Sequence, residues 1–221
     1  MGRISSPLPY WATNVSPPPT ECPPFLKNVN AKDVRNLSTP DEEYKILSWP
    51  EMQSIVARND IGVLQRVPSK LRSYMEFNYT VKQKYGNVST YILRERLRWG
   101  QVVEDLVGGE PWKNPDDVKV LYNDCPYGID PRIVHLVVWL KFPLASDPES
   151  DLLLPETRAA IQTYVDKTFA EFPSENVIWF KNPAILKSVH ALEHFHVMIF
   201  DPDLKKIDRI TGGYDMLSKE I

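Results

Sequence analysis

The feature that most constrains the fold is a stretch over residues 118–199, in which strand-like runs alternate with turn and helix patterns. The runs are rich in Val, Ile, Trp and Phe, and they cover residues 118–122, 133–142, 177–180 and 194–200. The second run is apolar on both faces, which is typical of a central strand. Between the second and third runs, an apolar stripe at helical spacing follows Pro155 and predicts a helix that covers the sheet.

The residues before this stretch predict helices. Ser48, Pro50 and Glu51 are the residue types of a helix N-terminus: a capping hydroxyl, a first-turn proline and an early carboxylate. Helical spacing of apolar residues predicts two more helices, over about residues 69–85 and 89–99. This order indicates an α+β fold with a mostly antiparallel sheet of about four strands, covered by helices, and a helical N-terminal half.

The chain begins with a segment rich in proline, which fixes φ and removes a backbone donor, so neither a helix nor a sheet ladder propagates through it. We expect residues 1–24 to form a Pro-rich flexible arm and residues 25–221 to form a single α+β domain. Docking of Tyr10 and Trp11 on the domain is the alternative. The stretch up to Pro40 is expected to be irregular, and the C-terminal tail has little pattern.

Composition narrows the class of protein. With 43% hydrophobic and 25% charged residues, the chain is typical of a globular protein that neither spans a membrane nor is disordered throughout. A net charge of −3 gives no overall attraction to nucleic acid, so RNA would need a local basic patch. Cys22 and Cys125 are too few for a disulfide framework, and no signal-peptide run is present. We therefore expect a cytoplasmic protein with no membrane partner, and the oligomeric state stays open.

The 4 histidines of the chain all lie in the strand region. His194 and His196 alternate to one face of the fourth run, and His135 lies on the second. Such imidazoles could share a metal ion, or they could be hydrogen-bonded residues that line a pocket or core. Because no carboxylate or cysteine spacing completes a ligand set, we favour a site without metal. The chain also lacks phosphate-loop and dinucleotide motifs, so we expect no cofactor.

Other polar residues occur where strands begin or end. Glu193 beside His194 is a candidate pair for proton transfer, because a carboxylate at a strand entrance can be desolvated. Adjacent strand residues point to opposite faces, so both serve one pocket only if Glu193 still belongs to the turn. Lys181 and Asn182 end the third run, where they either contact a bound anion or carbonyl or simply cap the strand. Cys125 has no obvious activating partner and is interpreted as an inert thiol.

The third predicted helix carries several arginines. Arg94 and Arg98 lie one turn apart, where two guanidinium groups could bind a phosphate or a carboxylate, whereas Arg96 points elsewhere. The alternative is a solvated basic face that pairs with Glu95 and Glu104.

Long segments of the chain resemble a known family. YILRERLRWG, LYNDCPYGIDPRIVHLVVWLK, VIWFKN and SVHALEHFHVMI are similar to the fungal family named for an N-acetylglucosamine-induced protein, over about residues 48–200. That family usually has the sequence Asn-Asp-Trp-Pro-Tyr-Gly in the second of these segments. This chain differs there at one position, where Cys125 replaces the tryptophan. Fungal arginine-containing cyclodipeptide synthases, which join two aminoacyl groups from tRNA into a diketopiperazine, are similar to this family. Their Asp-Asp-x-x-Glu motif has its nearest match at residues 116–120, which end in Val120 rather than an acid.

The resemblance implies an aminoacyl-tRNA partner and a small-molecule site. Because the tRNA ester is already activated, the protein need supply only positioning and proton transfer. The implied roles are a carboxylate for the arginyl guanidinium, a base for the attacking amine, cations for the tRNA end, and side-chain pockets. The resemblance implies Asp124 as the carboxylate, Glu193 with His194 or His196 as the base, and Arg94 and Arg98 as the cations for the tRNA end. Tyr127 and Trp139 are the candidates for the side-chain pockets. His135, Lys181 and Asn182 are candidates for further substrate contacts. The alternative function is non-catalytic binding of a small molecule, or regulation, in N-acetylglucosamine-responsive metabolism.

Overall fold

A computed structural model of the chain describes residues 8–103 and 108–213. It confirms the α+β prediction with a four-stranded antiparallel sheet of order β1-β2-β4-β3. The strands are β1 (Val118–Tyr122), β2 (Ile133–Leu140), β3 (Val177–Phe180) and β4 (Glu193–Phe200). In the described residues the α-helices are α1 (Ala31–Leu37), α2 (Trp49–Ala57), α3 (Pro68–Tyr85), α4 (Val88–Tyr91), α5 (Pro155–Thr168) and α6 (Leu204–Thr211).

The two central strands set which side chains share a face. In the β2–β4 register, Val137 lies opposite His196 and Trp139 lies opposite His194. Because side chains alternate along a strand, these residues share one face of the sheet with His135 and Met198. The alternation predicted from the sequence is therefore confirmed, and the polar side chains of both strands converge on one side.

The opposite face of the sheet carries the main apolar core. Leu136 and Phe195 from the central strands pack with Ile161, Val165 and Phe169, which follow one another at helical spacing on and just after α5. The predicted covering helix is thus confirmed: it begins at Pro155 and ends at Thr168. This face of the sheet therefore carries the largest cluster of buried apolar residues in the described part of the chain.

The C-terminal tail contains a helix that the sequence pattern did not indicate. Helix α6 is capped by Asp203, whose side chain accepts a hydrogen bond from the backbone of Lys205. It contributes Ile207 to the core while Leu204 stays exposed. Two turns with so few buried residues give too short a pattern to recognise. Helix α1, which begins after the capping residue Asn30, was missed for the same reason.

The predicted start of α2 is confirmed in detail. The carboxylate of Glu51 accepts a hydrogen bond from the backbone N–H of Ser48, and the Ser48 side chain accepts one from the backbone N–H of Glu51, which is the reciprocal arrangement of a capping box. The hydroxyl of Ser48 also donates to the Glu51 carboxylate at 2.7 Å. Trp49, Met52 and Ile55 then face the sheet and pack in one cluster with residues that include Met198. Helix α2 therefore covers one end of the polar face.

The third predicted helix is not a regular helix. After α4 the backbone forms a π-helix over Ile92–Leu97, which ends at Arg98 in the left-handed conformation (φ 55°). The wider turn brings Leu93, Leu97 and Arg96 inward together. The burial of Arg96 was not indicated by the sequence pattern, which assigned it only to a different side from Arg94 and Arg98.

The Pro-rich segment contacts the domain over the part that the structure describes. The hydroxyl of Tyr10 donates to the carbonyl of Leu26 at 2.7 Å, and Arg72 donates to the carbonyl of Trp11 at 2.8 Å. Both aromatic rings pack against a small cluster of Leu26, Leu37 and Leu71. These contacts match the docked alternative, while the flexibility of residues 1–24 and the single-domain division stay predictions.

Among the helices that the structure describes, none combines the length and the hydropathy needed to cross a bilayer.

Candidate functional site

A cavity of about 350 Å³ lies between the polar face of the sheet and the N-terminal helices. We call it the central cavity. Its lining includes aromatic, amide and charged side chains from several separate segments. Those used below are Asn36, Arg66, Tyr74, Tyr91, Arg96, Asn123, Asp124, Tyr127, Trp139, Asn182, His194 and His196. A volume in this range, with a few converging polar groups, is typical of a small-molecule site.

His194 contributes a neutral imidazole to the lining of this cavity. Its Nδ1 lies 2.8 Å from the carbonyl oxygen of Leu192, and a carbonyl can only accept, so Nδ1 carries the proton. Burial lowers the pKa of His194 to about 4, so the ring is neutral near pH 7. The ring packs on Trp139 with centroids 4.6 Å apart. Nε2 therefore remains as a hydrogen-bond acceptor held in a fixed position.

His135 and His196 form a hydrogen-bonded pair behind the cavity wall. The Nε2 of His135 lies 3.0 Å from the Nδ1 of His196. Burial is the main cause that lowers the pKa of His135 to about 3, with a smaller effect of Arg66. Burial, followed by the proximity of His135, lowers the pKa of His196 well below its usual value. Both rings are therefore neutral, and each carries a single proton.

A backbone contact fixes the amide beside this pair. The amide N–H of Cys125 donates to the Oδ1 of Asn123 at 3.0 Å, so the Nδ2 of Asn123 faces the ring of His135, at 3.2 Å from Nδ1 and 3.3 Å from Nε2. The Nε2 of His196 lies 3.1 Å from the Nδ2 of Asn182, which also donates to the hydroxyl of Tyr127 at 3.3 Å. The Oδ1 of Asn182 is a buried acceptor without a hydrogen-bond partner in the described part of the chain.

A buried ion pair forms another part of the wall. Arg96 donates to the two carboxylate oxygens of Asp124 at 2.9 and 2.8 Å, and the two side chains are 10% and 22% exposed. Burial, with a further contribution from Asp124, raises the pKa of the neighbouring Tyr91 to about 12, so its hydroxyl keeps its proton. The carboxylate of Asp124, which we expected to bind the guanidinium of a substrate, is thus bound by the guanidinium of Arg96.

Arg66 brings a second guanidinium to the cavity. Its Nε donates to the carbonyl of Cys125 at 3.0 Å. The guanidinium carbon lies 3.9 Å from the ring centroid of Tyr74 and 5.5 Å from that of Tyr127. Arg66 therefore has a defined position at the junction of helix α3 and the turn that follows β1.

The turn after β1 contains a glycine at a point of close contact. A Cβ at Gly128 would overlap the ring of Tyr44. The close approach seats the turn against the segment before α2, where Leu47 and Ile129 form a bridge. This contact holds Asn123, Asp124 and Tyr127 at the cavity.

Several predicted site residues do meet at this cavity. Asp124, Tyr127, Trp139, Asn182, His194 and His196 all line it, and His135 supports His196 from behind. In the described residues no group of three or more His, Cys, Asp and Glu side chains is arranged to hold a metal ion. Burial raises the pKa of Cys125, which keeps this thiol protonated.

Glu193 and Lys181 lie outside the lining. Glu193 is the first residue of β4, opposite Leu140, and it forms an ion pair of 2.7 Å with Lys187. Since it already belongs to the strand, it points away from the face of His194. Burial, and then the charge of Lys187, lowers the pKa of Lys181 beside this pair. Their proposed catalytic and substrate roles stay predictions.

Arg94 and Arg98 also lie outside the lining of the central cavity. Arg94 donates from Nε to the carbonyl of Gln101 at 2.7 Å. Arg98 follows the π-helix, so the regular one-turn spacing with Arg94 is lost. Their role in binding tRNA stays a prediction. The alternative pairing with Glu104 concerns a residue outside those that the structure describes.

Sequence reasoning missed several residues of the site. Asn36 and Tyr74 come from α1 and α3, and Arg66 comes from the segment just before α3. Tyr91 and Arg96 come from α4 and the π-helix. No local pattern marks them, because their convergence depends on how the helices pack on the sheet. Asp124 was implied only by the family resemblance, and its neighbour Asn123 was not singled out.

Comparisons with known proteins identify the family of the chain. Residues 48–200 match the family described as "Protein of unknown function (DUF3605)". N-acetylglucosamine-induced protein 1 of Candida albicans is 26% identical over 185 residues, which cover 75% of this chain and 73% of that protein. An uncharacterized protein of Saccharomyces cerevisiae is 26% identical over 167 residues, which cover 73% of this chain and 82% of that protein.

A solved structure supports the fold. The crystal structure of HTC1 superposes with a TM-score of 0.56 at 22% identity and covers 75% of this chain and 96% of that one. The expected resemblance to the fungal N-acetylglucosamine-induced family is confirmed by the family match and by both relatives. The chain belongs to the DUF3605 family.

Proposed function

We propose that the central cavity is the substrate site of an aminoacyl-tRNA-dependent cyclodipeptide synthase, which joins an arginyl group to a second aminoacyl group. The observation that carries this proposal is His194, a neutral imidazole whose Nδ1 is bound to the backbone and whose Nε2 accepts at a cavity of small-molecule size. The chain has no nucleotide-binding motif. This fits a reaction whose substrate arrives already activated as a tRNA ester.

The reaction needs one base at each of two similar steps. The α-amine of one aminoacyl group attacks the ester carbonyl of the other, so that a C–N bond forms and the bond to the ribose oxygen breaks. Nε2 of His194 accepts the proton that the amine loses and returns it to the departing ribose oxygen. A second attack by the remaining amine on the remaining ester closes the ring with the same proton balance.

The cavity walls suit the side chain of an arginyl substrate. Trp139 and Tyr127 present aromatic rings, and a guanidinium stacks favourably on such faces. The amide of Asn182, held by His196, offers a hydrogen-bonding group beside them. These contacts position the substrate while His194 acts on it.

The test is a reconstituted reaction. The purified chain is incubated with arginyl-tRNA and a second aminoacyl-tRNA, and cyclic dipeptides are measured by mass spectrometry. We expect an arginine-containing cyclic dipeptide, formed about 100-fold or more slowly by His194→Gln, since general-base catalysis contributes on that order. His190→Gln, a change at an exposed histidine, is the matched control. Absence of any cyclic dipeptide with the unmodified chain would contradict the proposal.

A second candidate function is non-catalytic binding or regulation in N-acetylglucosamine-responsive metabolism. It is favoured by the buried amides of Asn36 and Asn182 beside aromatic rings, since amides and aromatic faces suit a polar, hydroxyl-rich ligand. The relative in Candida albicans carries N-acetylglucosamine in its name. In this case N-acetylglucosamine or its 6-phosphate should raise the melting temperature of the chain, with no turnover of charged tRNA. An unchanged melting temperature at millimolar sugar would rule this candidate out.

A further inference from the structure

Arg66 is a partly buried cation without a counter-ion among the residues that the structure describes. Ion pairs within 4 Å are found for Arg96, Arg132 and Arg209, whereas no described carboxylate lies at that distance from Arg66. Asp124, an acid of the same cavity wall, is bound at both oxygens by Arg96. A charge in such surroundings is costly unless a partner offsets it.

The guanidinium is also held in place. The ring of Tyr74 packs against one face at 3.9 Å, Tyr127 lies 5.5 Å away, and Nε is bound to the carbonyl of Cys125. The two terminal nitrogens have no hydrogen-bond partner in the described part of the chain. A fork of N–H donors that is fixed in advance binds a planar or tetrahedral anion at little further cost in side-chain entropy.

A second buried group beside Arg66 lacks a partner. Asn36 is 5% exposed, and its Nδ2 donates to the carbonyl of Arg66 and to the Oε1 of Gln65, each at 3.0 Å. The carbonyl of Arg66 can only accept, so it fixes which end of the Asn36 amide is the nitrogen. The Oδ1 of Asn36 is then a buried acceptor without a donor. Buried acceptors of this kind are rare in proteins without a ligand or water.

We propose that Arg66 is an anion-binding residue, which binds the carboxylate or phosphate of a small molecule in the central cavity. The Oδ1 of Asn36 accepts a hydrogen bond from an N–H or O–H group of that molecule or of a water it holds. The volume of about 350 Å³ fits a small molecule rather than a length of nucleic acid. The inference rests on the proposal that the cavity is the ligand site, but not on the cyclodipeptide reaction.

The experiment uses the full chain and two simple probes, inorganic phosphate and acetate, each titrated against chloride at constant ionic strength. Binding is followed by the melting temperature and by the NMR signals of the histidine rings, since Arg66 acts electrostatically on His135 and His196. We expect saturable binding of at least one probe, weakened about 10-fold or more in Arg66→Gln. The probe that binds identifies whether the natural group is a phosphate or a carboxylate.

Two variants keep the test decisive. Arg58→Gln removes an exposed arginine outside the cavity lining and should bind the anion as the unmodified chain does. If Arg66→Gln proves too unstable to study, Arg66→Lys replaces it. This variant keeps the positive charge but lacks the forked N–H donors of a guanidinium, so it should bind the anion more weakly than the unmodified chain. Equal anion affinity in Arg66→Gln, or no saturable binding at constant ionic strength, would overturn the assignment. If Arg66→Gln weakened the binding of RNA but not the binding of phosphate or acetate, the assignment would be overturned as well.

The two proposals fail separately. If anion binding depends on Arg66 but charged tRNA gives no cyclic dipeptide, only the proposed reaction is wrong. If the cyclic dipeptide forms but no anion binds, only the role of Arg66 is wrong.

Discussion

At the scale of single residues, the site depends on imidazoles that stay neutral. His135, His194 and His196 are buried on one face of the sheet, and burial is the largest cause that lowers the pKa of each. A neutral ring can accept a proton or a hydrogen bond, whereas a charged one in the same place would be costly. The site is therefore suited to work near neutral pH and to fail in acid.

This leads to a prediction about stability and pH. In the unfolded chain histidine has a pKa of about 6.5, so between about pH 6.5 and 4 the unfolded state binds more protons than the folded state. The free energy of unfolding should fall as the pH is lowered through this range, by up to about 1.4 kcal/mol per pH unit for each buried histidine. Urea unfolding between pH 5 and 7.5 measures the slope.

Two variants check the origin of that slope. His194→Gln removes one titrating group and should make the dependence shallower, whereas His190→Gln should keep it, because His190 is exposed. A free energy of unfolding that stays constant from pH 7 to pH 5 would contradict the account.

The ion pair of Arg96 and Asp124 gives a second prediction at this scale. Arg96→Ala should destabilise the protein by about 3 kcal/mol, because it leaves the carboxylate of Asp124 partly buried without its partner. The matched control is Arg132→Ala, which breaks a pair whose arginine is 60% exposed and should cost less than about 1 kcal/mol. Similar losses for the two variants in urea unfolding would show that burial does not strengthen the Arg96 pair.

At the scale of elements, the sequence predicts those that have long, regular patterns. The bounds of β1 and β3 are those expected, and β2 and β4 differ by one or two residues at an end. The short α1 and α6 are missed, because two turns carry few buried residues. The spacing of apolar residues predicts a regular helix where the π-helix lies, since the wider turn depends on packing of Leu93 and Leu97 against β1 and β2.

The site residues on strands are predictable from the sequence, whereas those from the N-terminal half of the chain are not. Alternation along each strand is enough to place His135 on the same face as Trp139, and His194 on the same face as His196. Arg66 and Asn36 belong to segments whose local pattern gives no hint of a cavity. Their approach to the sheet is a tertiary contact, so no local feature of the sequence predicts that they belong to the site.

Helix α2 offers a test of local structure. Ser48→Ala removes the capping hydroxyl and should cost about 1 kcal/mol of unfolding free energy, because backbone N–H groups of the first turn lose their partner. Ser54→Ala, the same substitution at an exposed position inside α2, should change stability by only about a few tenths of a kcal/mol. If chemical denaturation shows no difference between these variants, the capping box does not stabilise α2.

At the scale of the whole molecule, the two faces of the sheet differ: one packs in the core and the other borders a cavity. The α5 face of the sheet carries the main apolar core, and its other face borders the central cavity, which residues of α1, α3, α4 and the π-helix also line. Residues that are neighbours in sequence on β4 therefore belong to different environments. Mutations on one face should mainly change stability, and those on the other should mainly change ligand binding or turnover.

The neighbours His194 and Phe195 test this division. Phe195 has 0% exposure in the core, so Phe195→Ala should cost about 3–5 kcal/mol in urea unfolding. His194→Gln keeps a side chain of similar size and should lose product formation while the fold is retained. The opposite result, a folded but inactive Phe195→Ala and an active His194→Gln, would contradict the assignment of faces.

The central claim is that chemistry takes place in the cavity beside His194. The most direct measurement is a comparison, by mass spectrometry, of small molecules from host cells that express the unmodified chain, His190→Gln or His194→Gln at matched levels. The account predicts an arginine-containing cyclic dipeptide with the unmodified chain and with His190→Gln, and its loss with His194→Gln. Its absence from all extracts, or equal amounts from all three, would contradict the account.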